Sequence, residues 1–339
     1  MKKTAALIVI LISLCAAVQA DYGVSKFVNP ICGAADPCIV KNPDGPGYYY
    51  VYSTDEAIYS EFALSPADFK WSRSNVIFEA DPDSDCRYQI WAPELHRIDG
   101  KWYIYFCAYG TDETGRRLFV ISGDDPMKPF GDRKRIGGPK YAGDKTDIHG
   151  IDETVFEYKG KLYTVYSGFD GGSPFQRLLM AEMESPTAMK DGKWVPISKP
   201  EYDWEQLSEK PVNEGPAVLR RNGRLYIIYS CSYAASDDYR MGVLEFTGGD
   251  IMDPANWKKH PKPILVGRGE MQGTGHCTFT TDADGEVWCV FHCNRPHDPA
   301  EPMKWVDRFL CLQKVVWIND FPTFSPVSEK PKYFKYEKQ

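Results

Sequence analysis

The apolar positions of this chain fall in short runs that recur in pairs. Five times one apolar run is followed by a polar turn and then by a second run rich in Tyr, Trp and Val: residues 37–41 and 48–52, 94–97 and 101–106, 154–158 and 161–166, 216–219 and 224–229, and 277–279 and 286–291. Asp99-Gly100, Asn222-Gly223 and Asp284-Gly285 sit between such runs, and these dipeptides favour the tight turns of β-hairpins. A polar residue opens each unit, at Asp36, Glu94, Asp152, Glu214 and His276, in steps of 58, 58, 62 and 62 residues. About sixty residues suffice for a four-stranded sheet with its loops, and no long helical period interrupts the series. Radial repetition of such sheets hides most strand edges, so the pattern predicts an all-β fold, a five-bladed β-propeller over residues 21–339. First strands of a propeller border the central channel, which brings two Asp, two Glu and one His to one cavity.

The N-terminus departs from this pattern. Lys2-Lys3, an apolar stretch and Val18-Gln19-Ala20 read as a signal peptide, residues 1–20, with cleavage after Ala20. The stretch falls short of the roughly 20 apolar residues that span a membrane. A secreted or periplasmic protein is expected, and Leu14 before Cys15 argues against a lipid anchor. Cleavage would leave nine cysteines, an odd number, most of them in apolar runs where a thiol acts as a small hydrophobe; a pairing of Cys32 with Cys38 is the disulfide to expect. Cys289, His292 and Cys293 have metal-ligand chemistry, but alternation along a strand turns His292 away from both thiols. The acidic loop 81–85 mimics the start of a calcium-binding loop, yet Cys86 and Ala92 stand where Gly and Glu are needed, so a polar surface loop is expected. With a net charge of −7 and one short basic run, Arg133-Lys134-Arg135, nucleic acid is excluded as a partner.

A carboxylate opening an apolar strand is costly unless it is paired or has a task. Each has a plain structural alternative: Asp36 precedes Pro37 and suits a turn, Glu94 can hold a neighbouring blade, and Glu214 precedes Gly215-Pro216. Three at matched phase favour catalysis, because convergent carboxylates with separated proton affinities are what glycoside hydrolysis uses.

In Ala35-Asp36-Pro37, Trp91-Ala92-Pro93-Glu94, Gly150-Ile151-Asp152, Asn213-Glu214-Gly215-Pro216, Gly275-His276 and Arg308 nine residues before Trp317, the chain resembles glycoside hydrolase family 43 from about residue 27 to 325. The resemblance implies an inverting glycosidase with Asp36 as general base, Glu214 as general acid and Asp152 as the carboxylate that tunes the acid. It implies Arg308 as a pocket hydrogen-bond donor and His276 on the axis; Trp91, at an inner-strand start, either stacks on the sugar or packs between blades, Glu94 is a further substrate-contact candidate, and Phe169 and His149 are weaker ones. No cofactor is required for the chemistry; a structural calcium or other cation near His276, its metal residue, is the alternative to a satisfied core histidine. Glu153 stands where relatives carry a small residue, and strand alternation is expected to turn it from the cavity. Within the family the motifs look most like exo-acting α-L-arabinofuranosidases. β-Xylosidase and endo-arabinanase are the alternatives, and a retaining fructosidase or a non-catalytic carbohydrate-binding propeller is more remote. The partner is then an arabinose- or xylose-containing saccharide, with no nucleic acid and no membrane, and the protein is expected to be a monomer.

Overall fold

In the computed structural model the described residues are 21–70, 75–110, 115–136, 149–169, 174–295 and 307–338, with the side chains of 191–193 excepted. The leader expected over residues 1–20 lies outside them. The strands form five consecutive antiparallel sheets. Blade one comprises Cys38–Lys41, Tyr48–Ser53, Ala57–Ala63 and Asn75–Glu79; blade two Tyr88–Ile98, Lys101–Tyr109, Arg116–Gly123 and Gly131–Ile136. Blade three comprises His149–Tyr158, Lys161–Phe169, Arg177–Ser185 and Ala188–Ser198; blade four Asn213–Arg221, Arg224–Cys231, Arg240–Phe246 and Trp257–Lys259. Blade five has Gln272–Thr281, Val287–Asn294 and Arg308–Lys314. First strands touch one another in ring order, one to two through to five and back to one. The chain is a five-bladed β-propeller.

The core explains why the ring holds. Alternating side chains give each blade two apolar faces, and the buried residues sort into five clusters, one per seam. Ile104 and Phe119 fill the seam of blades one and two, Val120 and Tyr166 that of two and three, and Val165 and Ile227 that of three and four. Ile228 and Phe291 fill the next, and Tyr50 with Leu310 closes five against one. Each fully buried Val, Leu, Ile or Phe contributes roughly 1.5–3 kcal/mol. Closure is also backbone work: the amides of Ile31 and Ala34 donate to the carbonyls of Leu310 and Arg308, and the Leu310 amide donates to Cys32. The segment leading into blade one thus lies along the open edge of blade five. The termini pair outside the ring, Tyr22–Phe27 against Lys332–Glu337.

This closure overturns the expected disulfide. Cys32 lies against the five/one seam while Cys38 packs in the one/two seam, its sulfur accepting the Leu95 amide at 3.3 Å, and all nine described cysteines are free thiols. Loop 81–85 is a polar turn, with the Asp83 amide bonded to Asp81 Oδ1 at 3.0 Å.

Candidate active site

The first strands are not regular. At or just before the channel end of each, the backbone turns left-handed, at Asp36 (φ 47°), Ala92 (48°), Asp152 (51°), Gly215 (54°) and His276 (49°), with a second such residue three positions earlier in blades two and five, Gln89 (53°) and Gly273 (51°). The hairpin register slips beside these points in blades two to five. Such backbone is costly for residues with a Cβ and persists where the surroundings fix it, often at functional sites. The slip turns side chains out of the strand's alternation and into the channel. Packing at Gly215 is tight as well, since a Cβ there would stand 3.2 Å from His276 Cα.

Asp36, Asp152 and His276 occupy equivalent points and meet. His276 Nδ1 lies 3.3 Å from Asp36 Oδ1 and 3.6 Å from Asp152 Oδ2. Its amide donates to Ser230 Oγ at 2.7 Å, which fixes the turn. Arg308, from the third strand of blade five, reaches Asp36 Oδ1 with Nη1 at 2.7 Å. From the second strand, His292 Nδ1 accepts the Asp36 amide at 3.3 Å and stands 3.4 Å from its carboxylate. Burial opposes charge on Asp36, but Arg308 first, then His276 and His292, outweigh it and hold the carboxyl well below the usual carboxylate range. Burial also lowers His292 to about 4, so it is neutral near pH 7.

Across the channel the balance reverses. Asp152 is pushed up to about 7 by burial, His276 opposing, with the negative charges of Glu214 and Asp36 adding to the rise. Its Oδ2 accepts the Gly215 amide at 3.1 Å, so it sits against the backbone beside Glu214. Glu214 is likewise pushed up to about 7 by burial, opposed by the Tyr239 hydroxyl and helped by the charge of Asp36. One cavity therefore holds an ionised carboxylate and two whose proton affinity is raised to near pH 7.

The remaining candidates are placed variously. Ala92, not Glu94, takes the left-handed point of blade two, and Glu94 lies two residues on, buried and bonded to His96 Nε2 at 2.9 Å. Trp91 is half-buried; its indole donates to Asp55 at 3.1 Å, and the Arg116 guanidinium lies 3.3 Å from the ring centroid. Phe169 is exposed at the end of its strand, opposite His149. Glu153 does turn from the channel: it is buried, its Oε1 accepts from Thr164 at 2.7 Å, and burial raises it to about 8. Among the described residues no group of three or more His, Cys, Asp or Glu is arranged to hold a metal ion, and His276 directs Nδ1 to two carboxylates.

Sequence reasoning missed His292 as a partner of Asp36, along with Tyr239, whose ring stacks on His292 at 5.6 Å, and Arg116. The alternation that turns His292 from Cys289 and Cys293 was a usable signal. Gly275 was another: a Cβ there would strike the Tyr239 ring, so the glycine marks a close approach.

The model of the family described as Glycosyl hydrolases family 43 matches residues 27–322. The Extracellular exo-alpha-(1->5)-L-arabinofuranosidase of Streptomyces chartreusis is 35% identical over 271 residues, covering 77% of this chain and 80% of that protein. Alpha-L-arabinofuranosidase 43 of Humicola insolens is 33% identical over 322 residues, 90% of this chain, which spans 65% of that longer protein. The solved alpha-L-arabinofuranosidase from Lactobacillus brevis superposes with a TM-score of 0.78 at 34% identity, over 90% of this chain and 98% of that one. With the propeller, the ordered motifs and the convergent carboxylates, these matches place the chain: it belongs to glycosyl hydrolases family 43.

Proposed function

We propose that this protein releases terminal α-L-arabinofuranosyl residues from arabinose-containing oligosaccharides or polysaccharides with inversion at the anomeric carbon. The observation that carries the reading is one channel in which Arg308 holds Asp36 while Glu214 lies buried beside Asp152, in a chain about one third identical to three arabinofuranosidases.

Glu214, protonated, donates to the glycosidic oxygen as the bond to the anomeric carbon breaks. Asp36, ionised and oriented by Arg308, takes a proton from the water that attacks the opposite face, where the transition state has oxocarbenium character. The attacking oxygen ends on the face opposite the departed one. Asp152 holds the Gly215 amide beside the acid, and its proximity discourages a second negative charge there. His276 bridges the two aspartates and keeps their spacing. One face of Trp91 is taken by the Arg116 guanidinium, so a sugar would stack on the other.

Export through residues 1–20 and a monomeric state belong to the same proposal; the Streptomyces chartreusis relative is called extracellular, and no helix of the described residues is long and apolar enough to cross a membrane. The test compares aryl α-L-arabinofuranoside with aryl β-D-xyloside while proton NMR follows the first sugar released. Cleavage of the first alone, with β-L-arabinose appearing before mutarotation, is the expected result. Preference for the xyloside overturns the substrate assignment, and α-L-arabinose as first product overturns inversion.

A further inference from the structure

Next to Glu214, in the seam of blades three and four, lies a buried ionic cluster that the reaction does not use. Glu205 closes the single-turn helix Asp203–Glu205 between those blades and is wholly buried; Lys259 ends the outer strand of blade four with 8% of its side chain exposed. Lys259 Nζ stands 2.9 Å from Glu205 Oε1 and 3.1 Å from Oε2. The carboxylate also accepts the Tyr229 hydroxyl at 2.9 Å and the amides of Glu201 and Tyr202 at 2.8 and 2.9 Å. Burying two charges costs about as much as their attraction returns, so stability alone is weak reason for such a pair.

What the pair holds is Asn213. Asn213 Nδ2 donates to Glu205 Oε1 at 3.0 Å, and its Oδ1 accepts from Lys259 at 3.2 Å and from Ser198 at 2.6 Å. Its amide donates to the Gln176 carbonyl at 3.1 Å, and its carbonyl accepts from Ser167 at 2.7 Å. Side chain and main chain of this residue are therefore fixed together. Glu214 comes next and still pairs with Ser230; beyond it the pairing with the second strand lapses until Ala217, and Gly215 turns left-handed. The anchored residue is thus the last but one before the ladder breaks, and the acid is the last.

We infer that Glu205 and Lys259 are positioning residues for Glu214, setting through Asn213 where the acid meets the leaving oxygen. The inference rests on Glu214 being the proton donor. A misplaced donor harms cleavage in proportion to the need for leaving-group protonation, and a loosened fold does not. The experiment measures kcat and KM on arabinobiose and on dinitrophenyl α-L-arabinofuranoside, whose phenolate leaves without a proton. Glu205→Gln with Lys259→Met removes both charges and strands neither; Asn213→Ala cuts the link with the pair intact, and decides alone if the double variant does not fold.

In both variants kcat on arabinobiose is expected to fall about 10²-fold, the scale of a misplacement near 1 Å, with KM nearly unchanged and the dinitrophenyl substrate losing less than about threefold. Equal losses on the two substrates, or none on either, overturn the positioning role. Glu214→Gln serves as the reference: if it too lacks discrimination between the substrates, the acid assignment itself fails, a result distinct from failure of the network.

Discussion

Asp36 and Asp152 are the same residue type at the same phase of the repeat, with φ of 47° and 51°, and both face the same nitrogen of His276. They titrate in opposite directions. Asp36 faces the second and third strands of blade five, which supply His292 and Arg308; Asp152 faces Glu214 across the Gly215 turn. The first strands bring carboxylates together, and the residues packed against them decide which keep a proton. A ring of similar blades becomes an acid side and a base side because one blade sets a guanidinium against Asp36, whereas burial and the charges of Glu214 and Asp36 act on Asp152.

Removing the ionised side is expected to have the largest effect. Asp36→Asn should lower kcat about 10²–10⁴-fold on every leaving group, since water activation precedes no choice of aglycone. Steady-state kinetics on a leaving-group series checks this, and a loss confined to poor leaving groups would mean that Asp36 handles the acid's proton.

Arg308→Met should erase much of the asymmetry while leaving both aspartates in place. A neighbouring guanidinium lowers an aspartate by about 1–3 units, so the acid limb of kcat/KM should move up by at least one unit. A rate measured at the acid edge of the profile, near pH 3, then falls further than one at pH 7, because Asp36 starts well below the usual carboxylate range. An unmoved acid limb would assign Asp36's low proton affinity to the histidines.

Glu153→Gln sharpens the comparison from outside the channel and should have the smallest effect. Glu153 is raised from 4.5 to about 8 by burial, with the charge of Glu94 adding, and its Oε2 has no hydrogen-bond partner among the described residues. A carboxyl raised on folding stabilises fully below its unfolded value, and that stability is lost as pH rises through the folded one. The wild type should therefore lose stability between pH 4.5 and 8, and the glutamine variant should lose less. At pH 8 a gain of about 1–3 kcal/mol in urea unfolding is expected, the usual cost of a mismatched buried polar group, with little difference at pH 4. Asp36 has the opposite sign: its contribution is present above its unfolded value of 3.8 and disappears in acid.

Local patterning carried the fold. Paired apolar runs and Gly turns at near-constant spacing predicted five blades, and the opening polar residues marked Asp36, Asp152 and His276 at structurally equivalent points. Glu94 and Glu214 are where the phase failed, because a slip of one or two residues at each turn leaves the repeat length almost unchanged. In blade two the left-handed point is Ala92, and in blade four it is Gly215, one beyond the glutamate. His292 and Tyr239, which bear on proton affinity, left only indirect signals, and the Glu205–Lys259 pair that holds Asn213 left none, because these residues come from second strands, outer strands and linkers, far from the repeat's opening. The expected Cys32–Cys38 disulfide failed because ring closure puts two nearby residues into different seams.

The most direct test of the opposed protonation states is the pH dependence of kcat/KM for Glu214→Gln on dinitrophenyl α-L-arabinofuranoside, beside the wild type on arabinobiose. The wild type should show an alkaline limb near pH 7, where Glu214 and Asp152 titrate as a coupled pair. In the variant that limb should vanish while the acid limb set by Asp36 remains. An alkaline limb near pH 7 that survives the substitution would contradict the account, because the proton required for cleavage would then reside on a group other than Glu214.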